Sequence, residues 1–141
     1  MLRRFTAGLA LSLTILTAGA SSASAVSVFT TTLSGSEERP GPGDPNGSGF
    51  AVVAAIPETG QICYGLAVFG LGPVTAAHIH EAPAGVPGPI VVPLAPPTQG
   101  ASGGCVANAE EAEDIAANPE DYYVNVHTTE FPGGAIRGQL G

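Results

Sequence analysis

Glycine and proline divide this chain into short segments, and their spacing constrains the fold more than any other feature of the sequence. The 116 residues from Val26 onward include 18 glycines and 13 prolines. They cluster between runs rich in β-branched and aliphatic residues, as turn residues do in all-β domains. The predicted strands cover residues 26–33, 49–56, 61–69, 74–81, 89–94, 103–107, 122–128 and 134–140. Short strands at this spacing predict an all-β sandwich or barrel.

One short helix is predicted among the strands, near residues 109–117. Asn108 is a favourable N-cap, and Glu111 stands three residues later, as in a capping box. Further carboxylates follow in the first turns, where the helix dipole favours negative charge. The pair Asn118-Pro119 ends the helix, because a residue that precedes proline is disfavoured in the α conformation.

The first 25 residues have the organisation of a secretory signal peptide. Two arginines precede an uncharged run, and Ala23-Ser24-Ala25 forms an A-x-A cleavage site. We therefore expect residues 1–25 to be removed and residues 26–141 to form one secreted, extracellular domain. An uncleaved N-terminal anchor is the alternative. No later run approaches the roughly 20 apolar residues that span a bilayer, so we expect no membrane attachment after cleavage.

The charge of the predicted mature chain excludes one class of partner. Residues 26–141 contain 12 acidic residues against two arginines, Arg39 and Arg137, which gives a net charge of −10. A nucleic-acid-binding face needs basic side chains that replace the phosphate counterions. The same charge disfavours docking on anionic membrane surfaces. We expect neither nucleic acid nor membrane among the partners.

Two cysteines, Cys63 and Cys105, lie in the predicted mature chain. In an oxidising compartment an isolated pair of this kind forms a structural disulfide. A catalytic dithiol is the alternative, but it needs close spacing such as C-x-x-C, which this sequence lacks. We therefore predict a Cys63–Cys105 bond.

The three histidines of the chain all lie in predicted strands. His78 and His80 are two residues apart, so strand alternation places them on one face, about 6.6 Å apart at the backbone. Tyr123, Asn125 and His127 share a face of another predicted strand in the same way. If the two strands are neighbours, three neutral imidazoles converge, a ligand set that suits copper or zinc. In the alternative, His127 and one of the pair hydrogen-bond to loop backbone.

Four segments of the sequence form a more specific pattern. They are LSGSEERP at 33–40, AAHIH at 76–80, GVPGPIVV at 85–92, and YYVNVHT at 122–128 followed by FPGGAIRGQL at 131–140. Together they resemble the CHRD family, a domain repeated in chordin and found alone in many secreted microbial proteins. The resemblance covers nearly all of residues 26–141. It implies an extracellular β-sandwich module with no established enzymatic activity in microbial members.

A second resemblance involves the same histidines. The sequence His78-Ile79-His80-Glu81 is similar to the H-V-H-E strand that supplies copper ligands in Cu/Zn superoxide dismutases, which are Greek-key β-sandwiches. His127 and Arg137 follow in the same order as a further copper ligand and the anion-guiding arginine. The similarity implies a Greek-key fold and a copper site at His78, His80 and His127, with Arg137 beside it. No histidine lies between residues 80 and 127, so the bridging ligand and the zinc subsite are missing.

Two functions follow as hypotheses. The first is a secreted, non-catalytic binding or structural module of the CHRD type, with a protein or cell-surface partner that the sequence does not name. The second is a copper-binding or redox protein that uses the three histidines and Arg137. Arg137 also has a purely structural alternative, an ion pair with Glu81 or Glu130.

Overall fold

The structure, a computed structural model, describes Gly19 and residues 25–141, so the rest of the predicted leader lies outside the described residues. The described part contains eight strands and one α-helix. The strands are β1 (Ser27–Ser34), β2 (Ser48–Ile56), β3 (Gln61–Phe69), β4 (Val74–Glu81), β5 (Ile90–Leu94), β6 (Ala101–Ala107), β7 (Tyr122–Thr128) and β8 (Ile136–Gln139). The helix α1 spans Ala109–Ala117, and short 3-10 turns cover Gly35–Glu37 and Pro119–Asp121. None of the helices in these residues has the length and apolarity that crossing a membrane requires.

All eight strands belong to one antiparallel sheet with the order β5-β4-β7-β8-β1-β2-β3-β6. The two edge strands, β5 and β6, approach each other just after the end of β5. There Ser102 Oγ of β6 donates to Ala95 O at 2.6 Å, and Ala95 N donates to the Tyr64 hydroxyl at 2.7 Å. The sheet is therefore a nearly closed barrel. Across this closure the order β7-β4-β5-β6 is a Greek key, which confirms the predicted fold.

Alternation along each strand fills the interior of the barrel with aliphatic side chains. The buried cluster includes Leu33, Ala51, Val53, Ile62, Leu66, Ile79, Val92, Val124, Val126 and Ile136. Helix α1 packs against β2 and β3 and contributes Ala112 and Ile115, both fully buried. The outer faces of the strands consequently carry most of the polar side chains. Thr128 is an exception on the inner side of β7: it is 1 % exposed, and its hydroxyl accepts a hydrogen bond from Phe131 N.

The helix begins and ends where the sequence predicts. The Asn108 side chain accepts a hydrogen bond from Glu111 N at 3.2 Å, which caps the first turn. Asn118 ends the helix, and Pro119 starts the following 3-10 turn. The last predicted strand, 134–140, is shorter in the structure, because Gly134 (φ +133°) still belongs to the preceding turn.

The predicted disulfide is present and joins two neighbouring strands. Cys63 of β3 stands directly opposite Cys105 of β6, with a Cα–Cα distance of 4.0 Å and a sequence separation of 42. The bond therefore ties an edge strand to the sheet. In the unfolded chain it also closes a loop that contains β4 and β5, which reduces the number of conformations open to that chain.

Replacing both cysteines, as Cys63→Ser with Cys105→Ser, should lower the free energy of unfolding by about 4 kcal/mol, because the unfolded chain regains the entropy of a large loop. Denaturant unfolding under oxidising conditions measures the change. Wild-type protein treated with a reductant is the control and should show the same loss. An unchanged unfolding midpoint for the double variant would mean that the bond does not constrain the chain.

Candidate metal centre

The pairing of β4 with β7 brings the three histidines to one outer face of the barrel. In this register His78 stands opposite Asn125, and His80 stands opposite Tyr123. His127 lies two residues beyond Asn125 on the same face of β7. Because the alternating residues between them point into the core, all three imidazoles stand on the outside. The two histidine-bearing strands, β4 and β7, are therefore neighbours, which is the condition for the three imidazoles to converge.

The ring nitrogens are close enough to share one ion after a small adjustment. His78 Nδ1 and His127 Nε2 are 3.1 Å apart, and one nitrogen from each of the three rings lies within 4.8 Å of the others. Metal–nitrogen bonds of roughly 2.0–2.1 Å require ligand nitrogens within about 4 Å of each other. A shift of less than about 1 Å, within the reach of side-chain rotation, closes that gap. These three histidines could hold a metal ion.

Two backbone carbonyls fix the orientation of the rings. The Nδ1–H of His80 donates to Gly88 O at 2.8 Å, and the Nδ1–H of His127 donates to Pro132 O at 2.9 Å. A carbonyl only accepts, so in the neutral ring Nε2 carries the lone pair. The Nε2 of His80 is buried and has no hydrogen-bond partner among the described residues. An orphaned basic nitrogen beside two other imidazoles fits a metal ligand, and metal-bound histidines are commonly oriented by such carbonyls.

Burial keeps the imidazoles of His78 and His80 in the neutral form that binds metals. Burial lowers the pKa of His78, and the nearby His127 and His80 lower it further. Burial also lowers the pKa of His80, although the hydrogen bond to Gly88 acts in the opposite direction. Only neutral imidazole has a free lone pair for a metal. Both rings are therefore available as ligands at neutral pH.

The loop between β4 and β5 is held against the site by Tyr123 and its neighbours. The Tyr123 hydroxyl accepts from Gly88 N at 3.1 Å, and its ring stacks on His80 with a centroid distance of 4.8 Å. The guanidinium carbon of Arg137 lies 3.4 Å from the centre of the same ring, a cation–π contact. Tyr123 thus links a candidate ligand, the loop that orients it, and the arginine of β8.

Arg137 is only 1 % exposed and uses its hydrogen bonds on the same loop. Its Nη1 donates to Val86 O at 2.8 Å, and its Nη2 donates to Pro83 O at 3.0 Å and to Gln139 Oε1 at 3.1 Å. Arg137 therefore hydrogen-bonds to carbonyl and amide oxygens, and not to Glu81 or Glu130, the ion-pair partners of the structural alternative. The contacts give Arg137 a positioning role. The anion-guiding role stays a prediction.

The structure also reveals a buried acid that the sequence analysis did not single out. Glu38 is 3 % exposed, and its carboxyl group packs against Gly134, where a side chain would collide with it. Burial raises the pKa of Glu38 to about 7, while the charge of Arg137 and the side chain of Asn125 act in the opposite direction. Glu38 occurs in the LSGSEERP segment, but nothing in its spacing places it beside residues 134–137.

The free energy of unfolding should fall as the pH rises because of Glu38. Its pKa is higher in the folded protein, about 7, than the ordinary 4.5, so its stabilising contribution is complete below about pH 4.5 and lost as the pH approaches 7. Across that range the wild type should lose about 2 kcal/mol more than Glu38→Gln. Denaturant unfolding at several pH values measures this. The exposed neighbour provides the control Glu37→Gln, which should follow the wild type; parallel profiles for all three proteins would contradict the assignment.

Comparison with known proteins identifies the family. The family model for the CHRD domain matches residues 29–140, which covers the whole barrel apart from the first residues of β1. No curated protein and no solved structure matches the chain. The matched range includes the three histidines, Arg137 and both cysteines. The chain therefore belongs to the CHRD domain family.

Proposed function

We propose that this chain is an extracellular CHRD module that binds one copper ion through His78, His80 and His127. The observation that carries the proposal is the convergence of three ring nitrogens within 4.8 Å, one of them a buried nitrogen without a partner. The alternative contacts, hydrogen bonds from His127 and one of the pair to loop backbone, are both present, from His127 to Pro132 O and from His80 to Gly88 O. They use Nδ1 of each ring, so they are compatible with metal binding through the opposite nitrogen. The proposal thus extends the family assignment from a module to a metal-binding module.

The extracellular location rests on three agreeing features. CHRD domains are extracellular, the described residues contain a disulfide, and the first 25 residues have signal-peptide organisation. Disulfides persist in oxidising compartments and are rare in the cytosol. The proposal also keeps the binding role of the first hypothesis: the secreted module binds a protein or a cell-surface partner.

Copper is favoured over other metals by the donor set. The candidate ligands are three neutral imidazoles, and both cysteines are engaged in the disulfide and offer no thiolate. Imidazole suits copper and zinc, and Cu(II) stands highest among divalent first-row metals in affinity for a given nitrogen site. The proposed donor atoms are Nε2 of His80, Nε2 of His127 and one ring nitrogen of His78, whose Nδ1 lies 3.1 Å from His127 Nε2. Zinc is therefore the competing metal that the experiment must include.

The chain supplies binding, orientation and partial exclusion of solvent at this site. His80 is 8 % exposed, whereas His78 and His127 are half-buried, so the site is closed on the His80 side and open to solvent on the other. Three protein ligands leave a coordination position for a small molecule. When bound, copper would supply one-electron redox chemistry there. Catalysis forms no part of the proposal.

Titration of metal-free protein with Cu(II), followed by desalting and metal analysis, tests the proposal. We expect one copper per chain with sub-micromolar affinity, and weaker retention of Zn(II). At a free copper concentration about 100 times the dissociation constant, the free energy of unfolding should rise by about 2.7 kcal/mol. This stabilisation reports binding without any assay of activity.

The variants His80→Ala and His127→Ala should each weaken copper binding at least tenfold, because each removes one donor nitrogen from a set of three. Glu130→Gln is the matched control, since Glu130 is an exposed carboxylate in the loop that follows β7. That variant should bind copper like the wild type. Loss of all copper on the desalting column, or retention that the histidine variants do not change, would leave a CHRD module without a metal site.

A further inference from the structure

We propose that the outer face of β1, β2, β3 and β6 is the surface through which two copies of this chain associate. These strands carry none of the metal-centre residues, so the inference is independent of copper binding. We call this surface the uncharged face. It is defined by the outward-pointing residues of the four strands, such as Val28, Phe50, Gly65, Phe69 and Gly103.

The first observation is the distribution of charge. The outward side chains of these strands are aliphatic, aromatic, small or uncharged polar, and none carries a charge. All 12 acidic residues of the chain lie elsewhere, with Glu58 in the β2–β3 turn at the border of the face. A four-stranded area without a charged side chain can be buried against a partner without the cost of desolvating a charge.

The second observation is the exposure of large apolar side chains. Six such side chains are exposed in the described residues, and four of them belong to this face or its border. Phe69 is 63 % exposed, Val28 is 60 % exposed and Phe50 is 46 % exposed. Phe50 and Phe69 are diagonal neighbours on β2 and β3, whereas Val28 lies further along β1. Exposed apolar side chains grouped in this way mark an interaction surface.

The third observation is a shape that fits its own copy. Gly65 stands opposite Gly103 across β3 and β6, and this row without side chains adjoins the ridge formed by Phe50. The result is a shallow apolar groove of about 340 Å³ lined by Phe50, Val52, Gly65, Ala67 and Ser102. A two-fold axis places the same patch on both copies, so a ridge and a groove side by side can interlock. Phe50 of each copy then fills the groove of the other.

Electrostatics favours a second copy in this orientation. Two copies with a predicted mature charge of −10 repel each other wherever carboxylates meet, whereas contact through the uncharged face directs both acidic surfaces outward. Four strands about 4.8 Å apart and seven residues long give a footprint of roughly 450 Å² per copy. Stable interfaces bury about 800 Å² per partner. The expected dimer is therefore weak and reversible, with a dissociation constant of roughly 100 micromolar.

Sedimentation velocity over a concentration series, with a chelator present to exclude metal bridging, tests the inference. The weight-average mass should rise from that of one chain at low micromolar concentration towards twice that value near millimolar concentration. Phe50→Asp and Phe69→Asp each place a carboxylate in the interface and should weaken association at least tenfold. Ile90→Asp is the matched control, because Ile90 is 53 % exposed in β5, outside this face, and should leave association unchanged.

Circular dichroism and thermal unfolding establish that each variant is folded before its mass is compared. A wild type that stays monomeric at every concentration overturns the inference and leaves the face to a partner of another kind. Association that Ile90→Asp weakens as much as Phe50→Asp, or that neither phenylalanine variant weakens, places the contact elsewhere and overturns it as well.

Discussion

The register between β4 and β7 is the constraint on which the candidate site depends. Ile79 and Val124 pair on the inner face and are completely buried, while His78 and Asn125 pair on the outer face. A slip of one residue in either strand would exchange the two faces and bury an imidazole in the aliphatic core. The hydrophobic effect that packs the barrel therefore also sets the positions of the imidazoles.

The remaining precision comes from loops that lie over the outer face. Gly88 and Pro132 supply the carbonyls that orient two imidazoles, and Arg137 holds the first of these loops through the carbonyls of Pro83 and Val86. A buried arginine is costly to desolvate, and its hydrogen bonds and its contact with Tyr123 offset that cost. The centre is thus preorganised by backbone oxygens, and a metal ion would complete the polar network.

The sequence predicted local structure well and the assembly of the barrel only in part. The strands β3, β4 and β7 and the helix α1 have the predicted bounds, because turn residues and caps such as Asn108 act over a few positions. The neighbours of each strand, such as β8 beside β7, depend on contacts between distant segments that periodicity does not encode. The carbonyls of Gly88 and Pro132 escaped prediction for another reason: every residue has a carbonyl, so none carries a sequence signal.

The tautomers of the histidines in the metal-free protein test the account most directly. Long-range ¹H–¹⁵N correlation spectra at neutral pH distinguish a proton on Nδ1 from one on Nε2. We expect His80 and His127 to carry Nδ1 protons that exchange slowly with water, with unprotonated Nε2 atoms, because carbonyls accept those hydrogen bonds. Rapidly exchanging rings with protons on Nε2 would show that the outer face of β4 and β7 does not hold the imidazoles in this arrangement.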